Sequence, residues 1–176
     1  MEGSELFYKN AAGRIVRLES FISLFPGREN GLKMLFGGEI LKSMDEISGN
    51  LATLFAGQEN YQAVHAGEIV YFEKPITTAE VGRIIARVVL CTDKIVCVYI
   101  EVYGGSPRKP EAFTLRYEGF GLCVILDASD PEHHRMVQNL EPYNDGSPIV
   151  PIARKAIAFQ KRTRNALKSL RQPPTA

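Results

Sequence analysis

Residues 37–56 read GGEILKSMDEISGNLATLFA. Ile40, Leu41, Met44, Ile47, Leu51 and Phe55 recur at spacings of three and four, which is the period of one helical face. The spacing predicts a helix over 37–56. Gly57 follows directly, where a helix end wants a residue that tolerates a left-handed backbone. Ser43, Ser48, Gly49 and Asn50 leave the flanks small and weakly polar. A helix with such flanks is expected to be covered on most sides rather than to lie on a surface.

The sequence on either side alternates at the period of strands. Residues 14–25, RIVRLESFISLF, form one such run, ended by Pro26-Gly27. Four more runs follow the helix, over 62–72, 81–91, 94–103 and 113–126, rich in Val, Ile, Tyr and Phe. Thr92-Asp93-Lys94 suits a hairpin, and Gly104-Gly105-Ser106-Pro107 a turn. No second helical pattern interrupts these strands. The fold class expected is α+β, one antiparallel sheet wrapped around one long central helix, with strands joined by short connections lying side by side.

Residues 127–151 carry Pro131, Pro142, Pro148 and Pro151 and read as a connector. Asp130-Pro131-Glu132 has the chemistry of a short helix start. Over 152–170, Ile152, Ala156, Phe159, Ala166, Leu167 and Leu170 suit a basic amphipathic C-terminal helix. The organisation expected is a core domain over 1–126 and a connector with a helical extension over 127–176.

The chain has 176 residues and a net charge of +1, so the molecule as a whole offers no electrostatic case for nucleic acid. Charge is unevenly spread, however. Residues 146–176 hold seven basic residues and no acidic one, against 14 basic and 20 acidic in the rest, which is −6. A solvated helix packing on the sheet or on a neighbour accounts for the tail, and a hold on phosphate groups is the rival account. Cys91, Cys97 and Cys123 sit in apolar runs and read as reduced core residues of a cytoplasmic protein. No secretory signal and no run long enough to span a bilayer is evident.

The segment Asn30-Gly31-Leu32-Lys33-Met34-Leu35-Phe36-Gly37-Gly38, continuing through Met44-Asp45-Glu46, resembles the hot-dog-fold acyl-CoA thioesterases. Their pattern has Asn, then Phe or His before Gly-Gly, then a helix with Met-Asp. Tyr71-Phe72-Glu73-Lys74-Pro75 matches their Phe-x-x-Pro signature. The resemblance spans roughly residues 14–126. It implies a hot-dog fold and hydrolysis of acyl-CoA, with Asp45 as general base or nucleophile. It also implies that Asn30 and Asp45 meet across a homodimer, or within a tetramer or hexamer. Phe36 would line the substrate site. No cofactor, metal, membrane or nucleic-acid partner is expected. Two departures stand out: Lys33 where the family has Gly, and Ile95 where many members carry Ser or Thr.

The residues suit that chemistry. A helix start has free N–H groups and the positive end of the dipole. Gly37 and Gly38 allow a substrate oxygen to approach that backbone, so Gly38 N–H is the expected oxyanion donor, with Gly37 shaping the turn. Asp45 borders the apolar stripe and is expected to be partly buried. Glu68 is a candidate second carboxylate near the site, with a structural ion pair as the plainer reading. His65 reads as structural. His133-His134 read as surface residues, since adjacent histidines point apart on a helix. Phe25-Pro26-Gly27 is similar to a hot-dog dehydratase motif, but Leu24 stands where that motif has its basic His. The alternative to an enzyme is a hot-dog module that binds acyl-CoA without turnover.

Overall fold

The computed structural model describes residues 6–22, 29–35, 37–129, 132 and 135–170. The helix α1 spans Gly37–Ala56, and Gly57 follows with φ 72°. Ile40, Met44, Ile47, Leu51, Ala52 and Phe55 are buried along it, together with Ser48. Among the described residues eight strands accompany it: β1 Leu6–Lys9, β2 Ile15–Ile22, β3 Tyr61–Phe72, β4 Val81–Cys91, β5 Val96–Gly105, β6 Thr114–Asp127, β7 Arg135–Met136 and β8 Tyr143–Asn144. The helix α2, Val150–Leu170, follows them.

The strands form one sheet in the order β1-β2-β4-β5-β6-β3, antiparallel throughout, with β7 on β6 and β8 on β4. The helix α1 contacts each of β2 to β6, so the sheet curls around it. Alternate residues of the strands supply the inner face: Leu18 from β2, Ile84, Ala86 and Val88 from β4, Val98 and Ile100 from β5. Burying each large aliphatic side chain of this kind contributes about 1.5–3 kcal/mol.

Strand neighbours differ from the sequence expectation at one place. β4, β5 and β6 follow one another as antiparallel neighbours, but β3 pairs with β6 and not with β4. Residues 73–80 instead cross the end of the curled sheet. Glu73 N–H donates to the Arg116 carbonyl at 2.8 Å, Leu35 N–H to the Ile76 carbonyl at 2.8 Å, and Thr78 N–H to the Lys33 carbonyl at 3.1 Å. Ile76 is fully buried in the process and plugs the core.

Three further strands lie beyond the sequence reading. β1 forms a hairpin with β2, turned by Asn10, whose Oδ1 accepts from Ala12 and Arg14 N–H, and by Gly13 at φ 79°. The connector returns to the sheet as β7 and β8. The helix start expected at Asp130-Pro131 lies outside the described residues.

The outer face of the sheet is shared between a helix and a polar stripe. Val150, Ala153 and Ala156 of α2 pack on Val89, Leu90, Cys97, Tyr99, Phe120 and Leu122. Beside them Glu19 is buried between Arg83, at 2.6 Å, and Arg17. Burial pushes the Glu19 carboxyl up, but the Arg83 hydrogen bond and the two guanidinium charges outweigh it and hold it below its ordinary value. That pairing stabilises the fold above the ordinary carboxylate range and is lost as pH falls through the depressed value. Among the described residues, no helix is long and apolar enough to cross a membrane.

Candidate active site

Asn30 opens a tight turn. Its Oδ1 accepts from Leu32 N–H at 3.0 Å and Met34 N–H at 3.2 Å, and its backbone exchanges hydrogen bonds with Met34 and Lys33. The side-chain oxygen is therefore committed to the turn. Among the described residues the Nδ2 amide has no partner, so only that end is free to meet a substrate or a second chain. Lys33 closes the turn at φ 55°, in the left-handed region that favours glycine. This accounts for glycine in the resembling pattern, and Lys33 holds the same backbone at a steric cost. Lys33→Gly is expected to keep the turn and raise Tm by a degree or more in a thermal melt; a fall in Tm would show that Lys33 makes a compensating contact.

The start of α1 lies beside the Phe-x-x-Pro signature. A Cβ at Gly37 would meet only the Phe72 ring, at an ordinary 3.7 Å, and Gly38 is exposed. Packing among the described residues does not demand glycine at 37. The bare backbone leaves the first N–H groups of the helix open to an approaching oxygen. Phe36 lies outside the described residues.

Asp45 sits two turns further along. Its side chain is 54% exposed, more open than the partial burial expected from the sequence, because it borders the stripe on the flank where the sheet ends at β3. It is not alone there. One carboxylate oxygen contacts Nδ1 of His65, and Nε2 of the same ring lies 2.7 Å from Ser48 Oγ. Ser48 Oγ also donates to the Asp45 backbone carbonyl at 3.0 Å. The sequence reading missed this triplet.

Two features of the sheet put His65 in that position. The β3–β6 register shifts between His65 and Gly67, so Ala66 bulges out of the ladder, and Gln160 of α2 takes the freed Ala66 carbonyl. Such a bulge re-aims neighbouring side chains. Gly121 of β6 supplies the room: a Cβ there would stand 2.7 Å from Ser48 Oγ and 3.1 Å from His65 Nε2.

Glu68 pairs in register with Gly121, which brings it near the same group. Among the described residues no Lys or Arg pairs with it, contrary to the plainer reading of an ion pair. Burial pushes its carboxyl up, with Asp45 adding to the rise and His65 opposing it. The raised value means that ionised Glu68 costs stability above the ordinary carboxylate range, and the cost disappears as the group protonates in acid. Glu68→Gln is therefore expected to raise Tm at pH 7 and to give a smaller gain at pH 4. Equal gains at both pH values would exclude this cause.

Other candidates lie away from the site or outside the described residues. Ile95 packs in the outer cluster beneath α2. His133 and His134 are outside the described residues. Among those described, no cluster of His, Cys, Asp and Glu could hold a metal ion. Burial pushes the Cys97 and Cys123 thiols up to about 12, consistent with core residues.

No protein-family model matches the chain, and no curated protein matches it in sequence. Its architecture does match solved structures. An acyl-CoA hydrolase from Staphylococcus aureus, in complex with butyryl coenzyme A and coenzyme A, superposes at a TM-score of 0.72 with 21% identity, over 89% of this chain and 95% of that one. The fold is the hot-dog fold. An acyl-CoA hydrolase from Bacillus cereus gives 0.68 at 20% identity, over 87% of this chain and 90% of that one. A hexameric acyl-CoA thioesterase gives 0.65 at 21% identity, over 88% and 94%. The S. aureus hydrolase is also known as asparagine-to-alanine and aspartate-to-alanine variants, at positions fifteen residues apart.

Proposed function

We propose that this chain hydrolyses acyl-CoA thioesters to a free carboxylic acid and CoA. The observation that carries the reading is the Asp45 carboxylate held open on the flank of the central hot-dog helix, in a fold shared with named acyl-CoA hydrolases. Gly38 N–H, at the positive end of that helix, stabilises the oxyanion that forms on the thioester carbonyl. Asp45 either removes a proton from water as the water oxygen bonds to the carbonyl carbon, or attacks that carbon itself. Where Asp45 has taken the proton from water, the C–S bond then breaks and the departing thiolate takes that proton up. Where Asp45 attacks, the C–S bond breaks to leave an acyl–Asp45 anhydride, which water hydrolyses to free the acid and restore the carboxylate while its proton passes to the thiolate.

The geometry of one chain favours a site built from two. Gly38 and Asp45 are seven residues apart on one helix, about 10 Å along its axis at 1.5 Å per residue. A single carbonyl cannot touch both. A second copy whose helix faces the first supplies the missing partner, so that Gly38 and Asn30 of one chain work with Asp45 of the other. The edge strand β3 supports such pairing, since among the described residues no strand lies on its free side, and Tyr71 is 58% and Phe72 56% exposed. The assembly proposed is a homodimer at least, with the tetramer and hexamer as multiples of it. The free buried cysteines support a cytoplasmic setting.

The test is release of free thiol from a panel of acyl-CoAs of increasing chain length by the purified chain. Saturable release on at least one member is expected. Saturable binding with no release would make the protein an acyl-CoA-binding module instead.

A further inference from the structure

We propose that His65 is a positioning residue for Asp45 and that Ser48 fixes which ring nitrogen faces it. The proposal rests on the hydrolase reading and adds two residues that the sequence pattern does not mark. Asp45, His65 and Ser48 form a continuous chain of polar contacts from the half-exposed carboxylate to a fully buried hydroxyl. The order excludes the obvious rival. Ser48 is 0% exposed and cannot reach a thioester, so the triplet is not a serine nucleophile with its base. The reactive end is Asp45.

The hydrogen-bonding inventory then determines what the ring does. A neutral imidazole has one N–H and one acceptor nitrogen. Facing a carboxylate oxygen, Nδ1 carries the proton. Nε2 then accepts, and the Ser48 hydroxyl donates to it across 2.7 Å. When the ring takes a second proton, the same hydroxyl turns to the Asp45 carbonyl at 3.0 Å and accepts from Nε2–H. Ser48 therefore satisfies both charge states, and Nδ1–H remains on Asp45 in each. One carboxylate oxygen is held while the other stays free for water or the thioester carbon.

The surrounding groups are built around this contact. The Ala66 bulge, pinned by Gln160, aims the ring, and Gly121 leaves space for it. Among the described residues, the titratable groups facing the ring are Asp45 from α1, Glu68 from its own strand and Cys123 from β6. Arg164 and Lys168 of α2 line a groove of 540 Å³ that includes Ala66, Gly67 and Glu68. The Cys123 thiol, pushed up to about 12, stays neutral through the working range.

The test compares two substitutions that keep different halves of the ring. His65→Asn places an amide near the Nδ1 position, where it can donate to Asp45. His65→Gln places one near Nε2, against Ser48. With an acyl-CoA that the unaltered protein hydrolyses, His65→Gln is expected to lose about 10–100-fold in kcat with KM within about twofold, and His65→Asn to stay within about fivefold of the unaltered kcat. In ¹⁵N NMR the unaltered ring should carry its proton on Nδ1 when neutral, and Ser48→Ala should shift it toward Nε2 while kcat falls. That pair of readouts decides the question if the Gln variant does not fold. Equal kcat in both His65 variants, a loss confined to KM, or an Nε2–H ring in the unaltered protein would overturn the proposal while leaving acyl-CoA hydrolysis intact. If the unaltered protein hydrolyses no acyl-CoA, the hydrolase reading itself falls, and this role falls with it.

Discussion

Asp45→Ala is expected to lower kcat/KM for acyl-CoA by about 10²–10⁴-fold, the usual contribution of a positioned acid–base group. The substitution deletes the carboxylate that would activate water or attack the thioester. It also leaves Nδ1 of His65 without its partner, so a modest fall in stability accompanies it. Asp45→Asn separates the two effects. The amide keeps a hydrogen-bonding group beside the ring and has no basic oxygen, so activity should fall as far with Tm close to the unaltered value. Steady-state hydrolysis and a thermal melt on the same samples check both. Asn at position 45 with near-full activity would remove Asp45 from the chemistry.

The largest expected effect on stability belongs to Phe55, at the last turn of α1. The ring is 1% exposed and meets Tyr143 edge-on at 5.3 Å. The Arg14 guanidinium lies 3.8 Å above its centre, and Arg14 also donates to the Phe55 carbonyl. One side chain thus ties the central helix to the strand β8 and to the start of β2. Phe55→Ala removes the buried area and leaves a cavity, at a cost of about 3–5 kcal/mol. Domains of this size are stable by about 5–15 kcal/mol in all, so urea unfolding should begin at markedly lower denaturant. A loss below about 1 kcal/mol would mean that the end of the helix can collapse around the gap.

The parts of the fold legible in the sequence are those governed by local period. The helix over 37–56 is long and regular, and its end is marked by Gly57, so its limits match the structure. The alternating runs before and after it match β2 to β6 within a few residues. What was not legible depends on contacts between distant segments. β1 is four exposed residues, and β7 and β8 are two each, too short to carry a period. The crossing at 73–80 has the length of a turn, and only the curl of the sheet brings the end of β3 near the start of β4.

The candidate site divides along the same line. Asn30, Gly37, Gly38 and Asp45 lie on one turn and one helix, so their order in the chain places them. His65 is twenty residues past Asp45 and reaches it only because β3 pairs with β6 and bulges at Ala66. A histidine in an apolar strand carries no local mark of that. Gly121 likewise looks like any strand glycine until Ser48 is seen beneath it. The departure at Lys33, conversely, became explicable through a single backbone angle.

The central claim is that acyl-CoA is hydrolysed at a site assembled from two copies of this chain. Mixing subunits tests it most directly. Asp45→Ala and Asn30→Ala proteins, each purified and assayed alone, are expected to be strongly impaired. When the two are unfolded together and refolded as a one-to-one mixture, half of the dimers are hybrids, and each hybrid holds one complete site and one doubly defective one. Thiol release from the mixture should then recover to about a quarter of the unaltered rate, as random pairing in a two-fold dimer requires. If the mixture stays as inactive as its components while refolded unaltered protein regains full activity, Asn30 and Asp45 do not act across an interface, and the shared site is wrong.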